Sequence, residues 1–388
     1  MALLPGEIID GFRRHFGRGA QPELYRAPGR VNLIGEHTDY NLGFVFPIAL
    51  EMACFVAIAP AEHGKLRIRS RDMEGEFVIA IEDIARAAPT HAWHDYVVGV
   101  ARELVRAGII LRGCDLWIAS TVPAGSGLSS SAALEIASAV ALLDSNPMDR
   151  LDIALLGQRA ESGFVGMPCG IMDQYASVFG HAGAAIQIDC RSLEHEYVPL
   201  PSELSIIAVN SMVKHELGNS AYRERVAECQ TAVAAIAKIV PRVQSLRDVS
   251  LELFDRIGDT ISEVPRRRAR HVISETQRVL EFAAAARKND LREMGKLFVA
   301  SHRSMQHDYE ITCEEIDFLV DTAIKLPGVY GARMTGGGFG GCTVNLVAPD
   351  LVLAFREALT NAYQERFGIT PAFYDCKPAE GAGKLTAP

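Results

Sequence analysis

The stretch VPAGSGLSSSAALEIA, residues 122–137, contains two glycines and then, directly before an apolar segment, three consecutive serines. A plain turn needs one glycine at most, whereas here Gly125 and Gly127 precede serines at 129–131. The apolar residues that follow cover more than one helix face, which predicts a buried helix. A helix N-terminus offers unpaired N–H groups and partial positive charge, and glycines allow close approach. The stretch therefore predicts a phosphate-binding loop; a serine-capped strand-to-helix turn is the alternative.

The segments around this stretch alternate between strand and helix character, and the pattern changes near the middle of the chain. The run at 95–108 has helical spacing and ends on a glycine, whereas residues 219–326 carry mostly long helical patterns. We therefore expect an α/β domain over 1–204 and an α+β domain over 205–388, packed so that a cleft forms between them. Strands are predicted at 44–50, 53–59, 66–70, 76–81, 114–120, 184–189, 205–210, 342–348 and 372–376.

The composition excludes several classes of protein. A chain of 388 residues with 48% hydrophobic and 22% charged residues is typical of a globular protein of about two domains. The net charge of −9 argues against nucleic acid or anionic lipid as a partner, and the basic run at 266–270 is expected to be a solvated helix face. Neither a signal-peptide pattern nor a continuous apolar stretch of membrane-spanning length is present, so we expect no membrane association and a cytoplasmic location.

A second glycine-rich stretch, TGGGFGGC at 335–342, satisfies the spacing G-x-G-x-x-G. That spacing marks a dinucleotide site only where a helix follows it, and here the following residues have strand character. The dinucleotide-binding fold is therefore rejected. The five glycines within 336–341 still need a cause, and we expect this backbone to pack closely against a ligand or against the other glycine-containing loop.

Polar residues are also concentrated in APGRVNLIGEHTDYNLG, residues 27–43. Glu36, His37 and Asp39 are metal-ligand types, but three ligands so close in sequence would strain any common coordination geometry. A polyol is a better candidate ligand, because each carboxylate can accept two hydroxyl hydrogen bonds. A polar surface turn is the alternative interpretation.

The third polar concentration is GMPCGIMDQYASVFG, residues 166–180, which places Asp173 in a short amphipathic helix. An acidic residue in such a position is either a functional carboxylate or a partnered core carboxylate. Glu161 ends the preceding helical pattern, where a simple exposed helix residue is the alternative.

Taken together, the motifs GRVNLIGEHTDY, GLSSSAALE, CGIMDQ, RMTGGGFGGC and FYDCKPAEGAG resemble those of the galactokinases, and they occur in order between about residues 20 and 384. The galactokinases are a branch of the galactokinase, homoserine kinase, mevalonate kinase and phosphomevalonate kinase superfamily. The resemblance implies a two-domain α/β plus α+β fold with the active site in the cleft. It also implies transfer of the γ-phosphoryl group of ATP, with Mg²⁺, to the anomeric hydroxyl of α-D-galactose, by a monomer with small-molecule substrates.

Two alternatives accompany this implication. The first is a kinase of the same branch that acts on N-acetylgalactosamine or L-arabinose, because one sequence does not identify the residues around C2 of the sugar. The second is a galactose- and ATP-binding regulator without catalysis. Relatives of that kind have a damaged serine–alanine stretch, whereas SSSAALE at 129–135 is intact here.

The resemblance also implies roles for individual residues. Asp173 corresponds to the catalytic base and Arg30 to the residue that orients it, and the positive charge of Arg30 is expected to keep Asp173 ionised. Phosphoryl transfer needs mainly alignment and neutralisation of phosphate charge. The sugar-binding positions are Glu36, His37, Thr38, Asp39, Gly170 and Tyr222; the nucleotide-binding positions are Ser70, Trp93, Gly125, Ser126, Gly127, Leu128, Ser129, Ser130 and Ser131; the magnesium positions are Ser131 and Glu161.

Overall fold

A computed structural model of the chain describes residues 4–17, 19, 21–144, 146–214 and 218–385. The strands fall into three sheets, and most strand pairs are antiparallel. The strands are β1 (Glu23–Asn32), β2 (Phe44–Val45), β3 (Pro47–Pro60), β4 (Lys65–Ser70), β5 (Glu76–Ala80), β6 (Cys114–Ser120), β7 (Ala184–Asp189), β8 (His195–Pro199), β9 (Ser205–Lys214), β10 (Val329–Thr335), β11 (Gly340–Val347), β12 (Ala372–Asp375) and β13 (Gly383–Leu385).

Helix α3 packs on one face of the first sheet and α1 on the other, while helices also make up much of the second half of the chain. Short π-helical segments follow two of them, at 160–165 and 305–309. The α-helices are α1 (Pro5–Phe16), α2 (Asp95–Arg106), α3 (Ser130–Leu143), α4 (Arg150–Arg159), α5 (Met172–Phe179), α6 (Gly218–Ala237), α7 (Leu251–Ile257), α8 (Glu263–Arg287), α9 (Leu291–Ser304), α10 (Glu314–Ala323) and α11 (Val352–Phe367).

The first sheet has the strand order β13-β1-β3-β6-β4-β5 and carries α3 on its face. Helix α3 is apolar around most of its circumference because it packs against β1 and β3 on one side and α2 on the other. The main core joins these elements and continues into α8, α9 and β11. The first sheet and helix α2 together fix the position of α3, whose start lies beside β1.

Strand β1 contains a proline and a glycine, and both serve its packing. The register against β3 shifts between Pro28 and Arg30, which marks a bulge. A side chain at Gly29 would lie 2.6 Å from the carbonyl oxygen of Leu128, so only glycine permits this approach. The backbone N–H of Arg30 donates to the same carbonyl at 3.1 Å. The bulge therefore brings the loop before α3 into contact with β1.

The second sheet has the order β10-β11-β9-β12 and begins at Ser205. Strands β10 and β11 form a hairpin whose turn contains the five glycines of residues 336–341, which we call the glycine loop. The predicted domain division at 204/205 stays a prediction. The C-terminal β13 pairs with β1, so the last described residues join the first sheet.

The predicted elements are largely confirmed. The helix at 95–108 is α2, the buried helix after the serines is α3, and β11 rather than a helix follows the glycine loop. The prediction of two strands, at 44–50 and 53–59, is wrong in its boundaries. One strand, β3, runs unbroken from Pro47 to Pro60, and only Phe44–Val45 is a separate strand. No helix in the described part of the chain has the length and apolar character required to cross a membrane.

Candidate active site

The three polar stretches meet in one cleft between the N-terminal elements and the β10–β11 hairpin. The cavity has a volume of about 300 Å³. Its walls come from β1, the start of α3, α5, α6 and the glycine loop, so residues distant in sequence face one another. Among the predicted residues, the lining includes Arg30, Glu36, His37, Asp39, Gly125, Gly127, Ser129, Ser130, Ser131, Glu161, Gly170, Asp173 and Tyr222.

The loop of residues 125–131, which we call the serine loop, wraps around the N-terminus of α3. Gly125, Gly127 and Ser129 all have positive φ, at 71°, 79° and 61°. Glycine adopts this left-handed conformation freely, whereas it costs a serine such as Ser129 about 1 kcal/mol. The loop thereby turns sharply before Ser130, the first residue of α3, whose leading N–H groups have no intrahelical acceptor. This geometry suits a bound anion.

The glycine loop lies directly against the serine loop. A side chain at Gly336 would come within 3.1 Å of the carbonyl oxygen of Gly127, and one at Gly341 within 3.2 Å of that of Ser126. Gly338, with φ of 91°, approaches Ile311 in the same way. The expectation of close backbone packing between the two glycine-containing loops is confirmed.

Arg30 and Asp173 form a two-pronged ion pair at the centre of the cleft. The Arg30 Nε donates to Asp173 Oδ1 at 2.8 Å and its Nη2 to Oδ2 at 2.7 Å, while Nη1 donates to the Gly127 carbonyl at 2.7 Å. The Ser129 hydroxyl donates to Asp173 Oδ2 at 2.5 Å. The Arg30 side chain is 5% exposed and that of Asp173 26%. The carboxylate therefore faces the cavity, held from behind by a buried cation.

Asp39 and Gly170 are in close contact on the opposite wall. A Cβ at Gly170 would lie 2.0 Å from Asp39 Oδ2, so any larger residue would displace that carboxylate. Burial and the nearby charge of Asp173 raise the pKa of Asp39 to about 6, although N–H groups of Tyr40 and Met172 oppose the shift. The contact explains the glycine at position 170, which the sequence alone does not.

Glu36 lies at the end of the cavity and is bound to the protein through both oxygens. Its Oε1 accepts from the Gly336 N–H at 2.9 Å and the Thr335 hydroxyl at 3.1 Å. Its Oε2 accepts from Asn32 and from Arg333, whose guanidinium is fully buried. Sequence reasoning missed Arg333, although it stands in the quoted RMTGGGFGGC motif. Its position before the glycines was the available signal.

Arg333 also belongs to a wider buried network. It donates to the Leu33 carbonyl at 2.6 Å and lies 3.8 Å from Glu275 on α8. Burial raises the pKa of Glu275, but the charges of Arg278 and Arg333 outweigh it and lower that pKa to about 2. Glu275 accepts from the Gly35 N–H at 3.0 Å. Helix α8 thus fixes the backbone just before Glu36.

His37 has its ring inside a group of aromatic side chains. It adopts φ of 61°, and the ring lies 5.1 Å from that of Tyr222 and 4.8 Å from that of Tyr309. Its Nδ1 bonds to the Tyr40 hydroxyl at 2.7 Å and its Nε2 to the Gly337 carbonyl at 3.2 Å. Burial lowers the pKa of His37 to about 3, so the ring is neutral at physiological pH.

An acidic group lies behind the serine loop. The amide nitrogen of Gln174 donates to Glu161 at 2.6 Å and to Glu135 at 2.9 Å. Burial and the charge of Asp173 raise the pKa of Glu161 to about 7, while the Ser131 hydroxyl and Cys169 thiol lower it. Within the described ranges, Glu135 Oε1 has no hydrogen-bond partner, and no three His, Cys, Asp or Glu side chains form a cation site.

These oxygens nevertheless fit a magnesium ion that arrives with phosphate. Mg²⁺ prefers hard oxygen ligands and is commonly held by one or two protein groups together with phosphate oxygens and water. Glu161 supplies a buried carboxylate beside the Ser131 hydroxyl, and burial together with the charge of Asp173 raises its pKa because no cation compensates the ionised form. A divalent cation would relieve that cost.

Five of the predicted residues do not line the cavity. The Thr38 hydroxyl donates to the carbonyls of Gly35 and Phe44, and the Ser126 hydroxyl to that of Pro123. Leu128 is fully buried in the core. Ser70 accepts from the Asp72 N–H, and Trp93 packs half-buried against the main core. The first three shape the loops around the cleft, whereas the binding roles predicted for all five remain predictions.

The basic run at 266–270 forms ion pairs within the protein. Arg268 is buried and donates to Glu228 and Glu310 at 2.7 Å each. Arg267 pairs with Glu310, and Arg270 with Asp308. The expected solvated helix face is therefore only partly present: the run mainly ties α8 to α6 and to the π-helical segment 305–309.

Comparison with known proteins first gives the class of protein. Residues 95–181 match the family model for the GHMP kinases N terminal domain, and residues 282–365 the model for GHMP kinases C terminal. A mevalonate kinase from Methanococcus jannaschii shares the fold at a TM-score of 0.66 and 17% identity, over 94% of this chain and 100% of that one. The chain is thus a two-domain kinase of this superfamily.

Closer relatives then give the family. Residues 10–60 match the galactokinase galactose-binding signature. A galactokinase from a Roseiflexus species is 45% identical over 98% of this chain and 97% of that protein, and one from Chloroflexus aurantiacus is 45% identical over 93% of each. A crystal structure of Lactococcus lactis galactokinase complexed with galactose matches at a TM-score of 0.95 and 37% identity, over 98% of this chain and 99% of that one. The chain belongs to the galactokinase family.

Proposed function

We propose that this kinase transfers the γ-phosphoryl group of ATP to the anomeric C1 hydroxyl of α-D-galactose, which yields galactose 1-phosphate and ADP. The observation that carries the proposal is the Arg30–Asp173 pair, whose exposed carboxylate faces a cavity bounded by the serine loop. An acceptor beside Asp173 and phosphates at the N-terminus of α3 would meet in that cavity. The names of the galactokinase relatives support galactose as the acceptor.

In this proposal Asp173 is the catalytic base. The Asp173 Oδ2 accepts from both Arg30 and Ser129, whereas Oδ1 accepts from Arg30 alone and keeps a lone pair for the sugar hydroxyl. The anomeric hydroxyl is more acidic than an ordinary alcohol, because its carbon also bears the ring oxygen. Asp173 accepts its hydrogen bond and takes the proton late, as the bond to phosphorus forms. Arg30 holds the carboxylate in position and compensates its charge.

The sugar is bound by side chains on the other walls of the cavity. His37, Asp39 and Tyr222 offer donors and acceptors or a ring face, which together suit a polyhydroxyl ligand, and Glu36 would exchange one of its protein hydrogen bonds for a sugar hydroxyl. Gly170 leaves the space that Asp39 occupies. The phosphates lie against the serine loop, where the N–H groups of the first turn of α3 and the Ser130 hydroxyl donate to them, since the Ser129 hydroxyl already donates to Asp173.

Ser131 and Glu161 would hold the magnesium ion that accompanies ATP. When bound, the ion neutralises charge on the phosphate oxygens and so favours phosphoryl transfer. Glu161 itself is positioned by the Gln174 amide at 2.6 Å, and the adjacent Asp173 reaches the sugar side of the cleft. Metal and base are therefore supported by neighbouring residues of α5.

We further propose that the chain acts as a monomer in the cytoplasm. The proposed site needs no second subunit, because residues of this chain supply the catalytic pair, the sugar-binding side chains and the phosphate loop. All eight cysteines are free thiols, including five that lie in the main core, which is typical of a reducing compartment.

The test is an assay of ADP release with galactose, N-acetylgalactosamine, glucose and L-arabinose as acceptors. We expect galactose to give the highest kcat/KM, with a phosphate at C1 of the product. A higher kcat/KM for N-acetylgalactosamine or L-arabinose would assign the chain to a related sugar kinase. Tight binding of galactose and ATP without ADP release would instead indicate a regulator.

A further inference from the structure

A line of hydrogen-bonded side chains leads from the cavity into the helical core behind it. Next to His37, the Tyr40 hydroxyl lies 2.7 Å from the Tyr309 hydroxyl, which lies 3.1 Å from the Cys229 Sγ. Tyr309 and Cys229 are buried, at 0% and 1% exposure, and neither they nor Tyr40 line the cavity. The line connects three elements: the loop after β1, the π-helical segment 305–309 and α6.

The donor and the acceptor of each hydrogen bond in this line can be assigned in turn, starting from the Gly337 carbonyl. The Gly337 carbonyl can only accept, so His37 Nε2 carries the proton. The His37 ring is neutral, so its Nδ1 has no proton and accepts from Tyr40. Because the Tyr40 proton is then used, its oxygen accepts from Tyr309. The Tyr309 oxygen accepts from the Cys229 thiol in turn. One proton arrangement satisfies the whole line.

Ring packing fixes the orientation of His37 as well as its protonation. The Tyr40 ring meets the His37 ring edge-on at 5.7 Å, and Tyr309 packs between His37 and His271, with ring centroids 4.8 Å and 4.4 Å away. His271 is held by the Ser304 hydroxyl at 2.9 Å and the Glu36 carbonyl at 3.1 Å. The imidazole therefore has little freedom to rotate about χ2.

We propose that Tyr40 and Tyr309 are positioning residues that hold His37 in its Nε2–H form, so that Nε2–H and the Gly337 carbonyl together bind one hydroxyl of the sugar. A hydroxyl both accepts and donates, and it can replace the direct bond between these two groups with one bond to each. An imidazole with its proton on Nδ1 would present two acceptors to that hydroxyl, which has only one proton to donate. This inference rests on the proposed function and assigns a selectivity role within it.

The experiment measures Tyr40→Phe with galactose and with 2-, 3-, 4- and 6-deoxygalactose. For galactose we expect KM to rise roughly tenfold with kcat changed less than about twofold, because a ground-state hydrogen bond is weakened. For the one deoxysugar that lacks the bound hydroxyl, the wild type already has a raised KM. For that deoxysugar, Tyr40→Phe should raise KM by less than about a further twofold, because the substitution and the missing hydroxyl remove the same interaction.

The matched control is Tyr363→Phe. Tyr363 is fully buried and donates to the Ser211 carbonyl at 2.9 Å in a separate core, so it loses an equivalent hydroxyl far from His37. We expect this variant to lose stability but keep its galactose KM. An equal rise in KM for all five sugars, or a rise no larger than in the control, would overturn the proposal. Absence of wild-type activity on galactose would overturn the proposed function instead.

A spectroscopic measurement makes the test independent of activity. In ¹⁵N NMR spectra of the full chain, the His37 ring should show a protonated Nε2 and an unprotonated Nδ1 in the wild type. Tyr40→Phe should shift the Nδ1 resonance most and Tyr309→Phe less, because the latter leaves Tyr40 as donor. Should Tyr40→Phe not fold, Tyr309→Phe carries the same sugar panel, with an expected rise of roughly threefold for galactose. A protonated Nδ1 in the wild type would refute the assignment.

Discussion

The two sides of the cleft are built from different parts of the chain. The side against the start of α3 consists mainly of backbone, with positive φ at Gly125, Gly127 and Ser129 and a second glycine loop packed on it. The side around Asp39 consists of buried side chains, many of them paired with residues far along the sequence. The conformation of the first side is set by its own glycines and serines, whereas that of the second depends on side chains from the complete fold.

This difference has an energetic consequence. A backbone anion site costs little in the free protein, because its N–H groups can be satisfied by water. A buried carboxylate on the other side is costly, since burial and the charge of Asp173 raise the pKa of Asp39 to about 6. We therefore expect a substitution that removes a buried charge on the side-chain side to weaken binding but raise stability, and substitutions on the backbone side to change nucleotide binding rather than sugar binding.

The largest effect should come from Asp173→Asn, which removes the proton acceptor and keeps the shape. We expect kcat to fall by roughly 10²–10⁴-fold with ATP affinity retained, because the serine loop is unaltered. Steady-state assays would measure kcat, and titration with ATP would measure the affinity. An unchanged kcat would remove Asp173 from its catalytic role.

Asp39→Asn should stabilise the protein without ligand. The pKa of Asp39 is raised from 3.8 to about 6, so ionisation costs the folded state roughly 3 kcal/mol at pH 8. Stability from this group is present below pH 4 and is lost as the pH rises through 6. The variant should therefore unfold at higher urea than the wild type at pH 8, with a gain that shrinks towards pH 4, while its galactose KM rises. An equal gain at both pH values would contradict this origin.

Gly170→Ala should weaken sugar binding by displacing Asp39. The added Cβ would lie 2.0 Å from the carboxylate oxygen, and a displacement near 1 Å can cost roughly 100-fold in kcat/KM. Gly163→Ala is the matched control, because a Cβ there meets nothing within 4 Å. Similar kinetics for the two variants would show that Asp39 does not need its present position.

Gly127→Ala should have the smallest effect and act on the nucleotide. Its φ of 79° costs an alanine roughly 1–2 kcal/mol, which corresponds to about a tenfold rise in KM for ATP if the loop relaxes. Gly64→Ala carries the same backbone cost at φ of 66° in an open turn, so it should lower stability and leave the ATP KM unchanged. A raised galactose KM in Gly127→Ala would contradict the assignment of this loop to the nucleotide alone.

The same division decides what could be predicted from the sequence. The start of α3, the helix that carries Asp173 and the packing of the two glycine loops were predictable, because glycine, serine and apolar spacing act locally. Strand β1 was not predicted, since Pro28 and Gly29 are strand breakers unless a bulge accommodates them.

Side chains that support the site from a distance were also beyond reach. Arg333, Tyr309 and Glu275 contact the loop of residues 32–40 across more than two hundred positions of sequence. Tyr309 and Glu275 stand in segments that look like ordinary helix, so no local pattern distinguishes them, and only Arg333 has a local signal, its position before the glycine loop. The residues that reach the ligand are therefore easier to identify than those that orient them.

The pairing of Leu24 with Leu385 has a consequence for biosynthesis. Until a ribosome has produced the segment around residue 385, the outer edge of β1 has open backbone N–H and C=O groups, which are free to recruit a strand from another nascent polypeptide. Chains truncated before Gly383 should accordingly aggregate into inclusion bodies and not only lose activity.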